Sequence, residues 1–161
     1  MSGTPLPSAL EVRELLEGLL GREVEVGTGG PMVDPGAEDG ALVAEFVSDQ
    51  MQLSALVVVD VPLAARAGAA IALMPSHLSE NAVGAGELTD VLLENAGEIL
   101  NVMASMFNAE GAPHLRLNAV HPPKSALPND VAGWVMAYVP RLDLECEVSG
   151  YGPGNVSVLV L

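Results

Sequence analysis

One cysteine, six basic side chains and 3% aromatic residues in a chain of 161 exclude a good deal of chemistry before any motif is sought. With Cys146 alone, no intrachain disulfide can form, which fits a reducing compartment. Against six Lys and Arg stand 21 Asp and Glu, a formal charge of −15. Such a field repels nucleic-acid phosphates and anionic lipid and favours a partner with a basic rim. No apolar run approaches the ~18 residues a bilayer-spanning helix needs, and the opening MSGTPLP lacks the basic and apolar regions of a secretory signal. The expectation is a soluble cytoplasmic protein that binds neither nucleic acid nor membrane. Half the residues are apolar, so the core must be built from Val, Leu, Ala, Ile and Met.

Familiar catalytic machinery is also missing. His77, His114 and His121 form no H-x-x-x-H, no C-x-x-C exists, and no EF-hand loop is present, so no metal site is expected. His114 and His121, seven apart on one expected strand, would face opposite ways. Gly27-Thr28-Gly29 begins like a dinucleotide loop, but Met32 occupies the third glycine position. There is no Walker sequence and no G-x-S-x-G. Cys146 lies in LDLECEV, a strand pattern in which a cysteine is ordinarily inert. Any chemistry must use carboxylates, amides or groups brought by a partner.

The length suits one domain. Residues 1–7, with Pro5 and Pro7, read as a flexible tail, leaving 8–161 as a single domain. Ser8 caps a helix over 9–20 that Gly21 ends. Short strand material at 23–26 leads into a Gly, Pro and Asp-rich loop at 27–40. Residues 41–48 and 51–59 read as a hairpin, the second strand central because LSALVVVD is almost wholly apolar. A small-residue helix follows over 62–74, then a connector at 75–85. After a long helix at 86–110, residues 114–121, 132–139, 142–148 and 156–161 read as strands, with a Pro-rich loop at 122–130. No sequence repeat recurs at a period of about 20–50 residues. The pattern predicts an α+β fold, a mostly antiparallel sheet with helices packed on one face.

The long helix, GELTDVLLENAGEILNVMASMFNAE, organises the rest. At about 100° per residue, Leu88, Leu92, Ala96, Ile99, Met103 and Met106 form an apolar stripe. Glu87, Asp90, Glu94, Glu98, Asn101, Ser105 and Asn108 form a polar one nearly opposite. Gly111 and Pro113 supply a stop. A helix of that length would span about 36 Å. Its outward face carries no basic residue, and Glu94 and Glu98 are like charges at i,i+4, which costs a few tenths of a kcal/mol. By spacing alone, the simpler reading is a solvated face of an acidic protein. The other reading is a placed pair, because Glu98 and Asn101 at i,i+3 project a carboxylate and a carboxamide side by side.

Glu94-x-x-x-Glu98-x-x-Asn101, in the context LLENAGEILNVMASMF, resembles the signature helix of the chemotaxis phosphatases CheC and CheX, which act on the response regulator CheY. The signature there is Asp or Ser, Glu four later, Asn three later and a proline some twenty residues downstream. Here the first position is Glu94, and Pro122 and Pro123 stand near the expected proline. The helix over 9–20 has Glu14 and Glu17 but no Asn, so the resemblance is to the single-site, CheX-like arrangement. What the resemblance implies is a phosphatase for the phosphoaspartate of a CheY-like receiver domain. Asn101 would orient the attacking water, Glu98 would pair with a lysine of the receiver, and Glu94 and Ser105 would be partner contacts. The protein would need no cofactor of its own, since Mg²⁺ comes with the receiver. A homodimer is also implied.

A second hypothesis is the same fold without catalysis, a binding module in a signalling or flagellar-type assembly, as related folds in the flagellar switch serve as scaffolds. A third is an acidic α+β domain whose helix pattern arose by chance. Exposure of Glu98 and Asn101, uncovered by any dimer contact or by the 27–40 loop, is the structural condition that the first requires.

Overall fold

A computed structural model describes residues 3–161. The elements are α1 (Ala9–Leu20), β1 (Val24–Thr28), β2 (Ala41–Val47), β3 (Leu53–Asp60), α2 (Val61–Ile71), α3 (Ser76–Ala85), α4 (Asp90–Met103), β4 (Arg116–His121), α5 (Asn129–Trp134), β5 (Arg141–Val148) and β6 (Gly152–Val160). The six strands form one antiparallel sheet in the order β1-β5-β6-β3-β2-β4, so the expected α+β class with an antiparallel sheet is borne out.

Strand alternation sorts the core into two layers. Leu42, Ala44, Phe46, Val57, Val158 and their neighbours point to one face and pack with α1, α2 and α4. Val43, Leu56, Val58 and Leu159 point to the other, where Val33, Val131 and Val135 cover them. β2 and β3 are therefore buried on both faces, which is why they read as unbroken apolar runs. The topology is also two-fold in pattern. Apart from α5, inserted between β4 and β5, the units α1-β1-β2-β3 and α4-β4-β5-β6 have the same order of elements. Exchanging them turns the strand order into its own reverse.

Three expectations change. Residues 75–85 are not a connector but mostly α3, which has no side-chain cap and a weak apolar stripe. It is held by tertiary contacts instead: Arg66 binds Glu80 at 2.9 Å, and Ala82 packs with α2 and Leu92. Residues 132–139 are not a strand. Val131 and Val135, one turn apart, both sink onto the sheet. The chain between α5 and β5 is held in turns by the Arg141 guanidinium, which donates to the carbonyls of Val135 and Ala137. The long helix is shorter than 86–110. Gly86, at φ +67°, ends α3 in the left-handed region, and the Thr89 hydroxyl caps α4 by accepting from Leu92 N–H. After Met103 the coil tightens into a 3-10 turn over Ala104–Phe107. Asn108 then clamps the Leu115 backbone through both its amide atoms, at 3.2 and 2.8 Å, which turns the chain into β4. The regular helix spans 14 residues, about 21 Å.

Residues 3–7 do not project as a loose tail. Pro7 is buried and Leu6 packs on the core, while the first two residues of that expected tail lie outside the described residues. The 27–40 loop crosses the second face of the sheet, where Gly30 N–H donates to Asp143 O and Val33 N–H to the Ser157 hydroxyl. It then rounds the sheet end so that Asp39 lies against Gly86.

Candidate functional site

The candidate site stands on α4, and the mounting of that helix decides what the site can do. Leu92, Ala96, Ile99, Leu100 and Met103 are buried beneath it. The apolar row continues through Met106 and Phe107, and the Phe107 ring meets Phe46 with centroids 5.2 Å apart. On its flank α4 crosses α2 at close range. A Cβ added to Gly68 would lie 2.9 Å from the Leu92 carbonyl oxygen, so only glycine permits that approach. Asn95 seals the crossing by donating from Nδ2 to Gly68 O at 2.9 Å. Sequence reasoning placed Asn95 in neither stripe. Its position beside the apolar row, seven residues after Leu88 and about 20° from it, was the available signal.

With that underside fixed, Glu94, Glu98 and Asn101 face solvent on α4, and Ser105 does so from the 3-10 turn. At i,i+3 the Cβ atoms of Glu98 and Asn101 are about 5–6 Å apart. Among the described residues no hydrogen bond or ion pair engages the side chains of Glu94, Glu98, Asn101 or Ser105. The carboxylate and carboxamide are available to an incoming molecule, and the 27–40 loop does not cover them. The surroundings are acidic. Between Arg66 and Arg116 there is no Lys or Arg, and Arg66 is already held by Glu80 and the Pro153 carbonyl. Asp90 in the first turn favours the helix dipole.

The two-fold pattern of the fold gives α4 a counterpart in α1, and the two helices differ at the site. Aligning the two sequences so that the buried rows Val12, Leu16, Leu20 and Leu92, Ala96, Leu100 coincide sets Gly18 opposite Glu98 and Gly21 opposite Asn101, and α1 contains no Asn. Gly21, at φ +65°, already ends α1. The carboxylate–carboxamide pair therefore belongs to the second half alone.

Several groups elsewhere are committed to the fold. Pro122 and Pro123 follow β4, and Pro123 packs on Gly40, where an added Cβ would lie 3.2 Å from its Cβ. His114 precedes β4 and does not share a strand with His121, and His121 bonds the buried carboxylate of Glu45. Asp60 caps α2 by accepting from Leu63 N–H at 2.9 Å and accepts from Asn155 at 3.1 Å. Burial nonetheless raises its carboxyl above the usual 3.8, partly offset by those bonds and by Arg66. Burial, reinforced by the negative charge of Asp60, pushes the Cys146 thiol up to about 12. Among the described residues no three His, Cys, Asp or Glu side chains group closely enough to hold a metal ion. No helix there is long and apolar enough to cross a membrane.

No family model and no curated protein sequence matches the chain. Solved structures do match it in shape. The FliM middle domain of Helicobacter pylori is 11% identical with a TM-score of 0.59, over 94% of this chain and 84% of that one. FliY of Thermotoga maritima is 17% identical with a TM-score of 0.58, over 99% and 85%. A Borrelia burgdorferi structure of CheX in complex with CheY, BeF3 and magnesium is 12% identical with a TM-score of 0.50, over 95% and 97%. At these identities the likeness is one of fold. The CheX-type resemblance carried by the residues of α4 is matched by an architecture that extends over nearly the whole chain.

Proposed function

We propose that this chain is a phosphatase for the aspartyl phosphate of a response-regulator receiver domain. The observation that carries the proposal is the exposed Glu98 and Asn101 on a helix immobilised from beneath, in the fold type of a protein solved in complex with CheY. In this reaction the oxygen of a water attacks phosphorus, the bond from phosphorus to the aspartyl oxygen breaks, and the water protons end on inorganic phosphate and solvent. The transition state is loose, so little general-base strength is required of the protein. What accelerates it is a water held in line with the leaving carboxylate. The Asn101 carboxamide suits that task, because its oxygen accepts from water and the group stays neutral beside phosphate. Glu98 pairs with a lysine of the receiver and sets the register. Magnesium belongs to the receiver and supplies charge neutralisation there. Glu94 and Ser105 contact the rim of the partner. A stiff helix is the right mount, since insertion into another protein's active site demands placement to about 0.5 Å.

The test is loss of phosphate from receiver domains loaded with acetyl phosphate and Mg²⁺, with this protein, with Asn101→Ala and with buffer. Acceleration that falls about 100-fold or more in Asn101→Ala is expected. Acceleration retained in that variant would remove Asn101 from the mechanism. The homodimer implied by the CheX resemblance belongs to the same proposal, and light scattering on the assayed sample reports it.

A second reading is favoured by the two higher TM-scores, to FliM and FliY, and by Glu94 in the place of Asp or Ser. It makes the chain a non-catalytic module docking in a signalling or flagellar-type assembly. Binding of a receiver without acceleration would select it.

A further inference from the structure

The start of α4 borders a concavity of about 540 Å³ between that helix and α3. Met74, Leu78, Ala82, Leu88, Val91 and Leu92 give it an apolar lining. Two of these side chains are spent neither on the core nor on solubility: Val91 is 52% exposed and Leu78 36%. An open recess with exposed apolar side chains and a polar rim has the shape to seat one apolar side chain of a partner. Its position is the informative point. Val91 shares a face of α4 with Glu94 and Glu98 by its i, i+3, i+7 spacing, whereas Leu88 and Leu92 belong to the buried row, so the recess opens on the flank of the candidate site's face with Val91 at its edge, about 10 Å along the axis from Glu98.

Charge narrows the occupant. Glu87 lines the recess, Asp90 and Glu94 stand exposed on the adjoining turns of α4, and Asp39 of the 27–40 loop lies against Gly86. Among the described residues no ion pair engages Glu87, Asp90 or Glu94. A second copy of this chain would bring the same uncompensated carboxylates to the contact. A surface that pairs an apolar side chain with flanking Lys or Arg would complement both the lining and the rim.

We propose that the α3–α4 recess is the second docking point for the receiver domain on which Glu98 and Asn101 act, and that it seats an apolar receiver side chain flanked by basic residues. The identity of the partner rests on the phosphatase reading above. Two contacts about 10 Å apart on one rigid helix fix the helix along its axis and against rotation. Contact energy gained away from the phosphoryl group thereby positions Asn101 at it.

The experiment measures kcat and KM on a phosphorylated receiver that the wild type dephosphorylates, with Leu78→Asp, Val91→Asp and Leu78→Ala. Both residues are exposed, so folding should survive, and circular dichroism melts check it. The expected result is a rise in KM of about tenfold or more for the Asp variants, a smaller rise for Leu78→Ala, and unchanged kcat. KM for the wild type should also rise with ionic strength. Where the wild type binds a receiver without turnover, Kd replaces KM with the same expectation. Unchanged KM in folded Asp variants would overturn this inference and leave the phosphatase reading standing. A loss of kcat at constant KM would also overturn it, since the recess would then act on the mount and not on docking. A change of oligomeric state in the variants would hand the recess to a second copy. If the wild type neither binds nor turns over any receiver, the phosphatase reading falls and takes this inference with it.

Discussion

One substitution, glycine to alanine, should have different consequences on the two helices that cross beneath the site. At Gly97 of α4 no atom lies within 4 Å of the position a Cβ would take. Only helix propensity then acts, and alanine is favoured over glycine by about 1 kcal/mol. At Gly68 of α2 the added Cβ would stand 2.9 Å from the Leu92 carbonyl oxygen and 3.6 Å from Ala96 N and Asn95 Cβ. The nearest obstacle is backbone, so it cannot rotate away, and relief requires one helix to move off the other. Overpacking of this kind costs about 1–3 kcal/mol. Subtracting the propensity gain of about 1 kcal/mol leaves Gly68→Ala destabilised by about 0–2 kcal/mol. The two variants should therefore differ by about 1–3 kcal/mol. For a domain of this size 1 kcal/mol moves Tm by about 2–4 °C, so the melts should separate by about 2–12 °C. Thermal unfolding followed by circular dichroism, with urea titrations in parallel, reads this directly. Equal stabilisation by the two alanines would refute the backbone contact between α2 and α4 and the account of the mount built on it.

Two further predictions concern buried acids. Because burial raises the folded-state pKa of Asp60, the native protein holds that proton more tightly than the unfolded chain. Wild-type stability is therefore lost from this source as pH rises from 3.8 through the raised value. Asn caps helices as well as Asp does, so Asp60→Asn should gain on the wild type over that interval and hold a constant difference above it. Urea unfolding of both proteins across the range measures the difference, and a difference that does not change with pH would contradict the assignment. Cys146, buried with its thiol near 12, should resist a disulfide reagent at pH 8 while the protein is folded and react fully in denaturant. Rapid labelling of the native protein would show that strand β5 opens.

The candidate site was legible in unusual detail because it is local. Glu98, Asn101 and Glu94 share one helix, and helical spacing alone puts them on a common face opposite Leu92, Ala96 and Ile99. The elements with strong local patterns were legible as well: the capped α1, the apolar β3, and the alternation in β5. Those whose conformation is imposed from a distance were not. α3 has a weak stripe and depends on Arg66 and on packing against α2. Residues 132–139 alternate like a strand, yet the guanidinium of Arg141 and the burial of Val131 and Val135 hold them as a helix and turns.

By itself, then, the sequence determined the class of fold, the acidic field and the identity of the exposed pair, because composition and a 3.6-residue period are properties of nearby residues. The tertiary structure decided where α4 hands over to β4, through the Asn108 clamp on the Leu115 backbone, whereas the Thr89 cap on Leu92 N–H, three residues away, is a local signal that the reading over 86–110 passed over. The tertiary structure also decided that Asn95 is an anchor to Gly68 and that an apolar recess adjoins the pair. These depend on contacts between segments far apart in the chain, and no local period encodes such contacts.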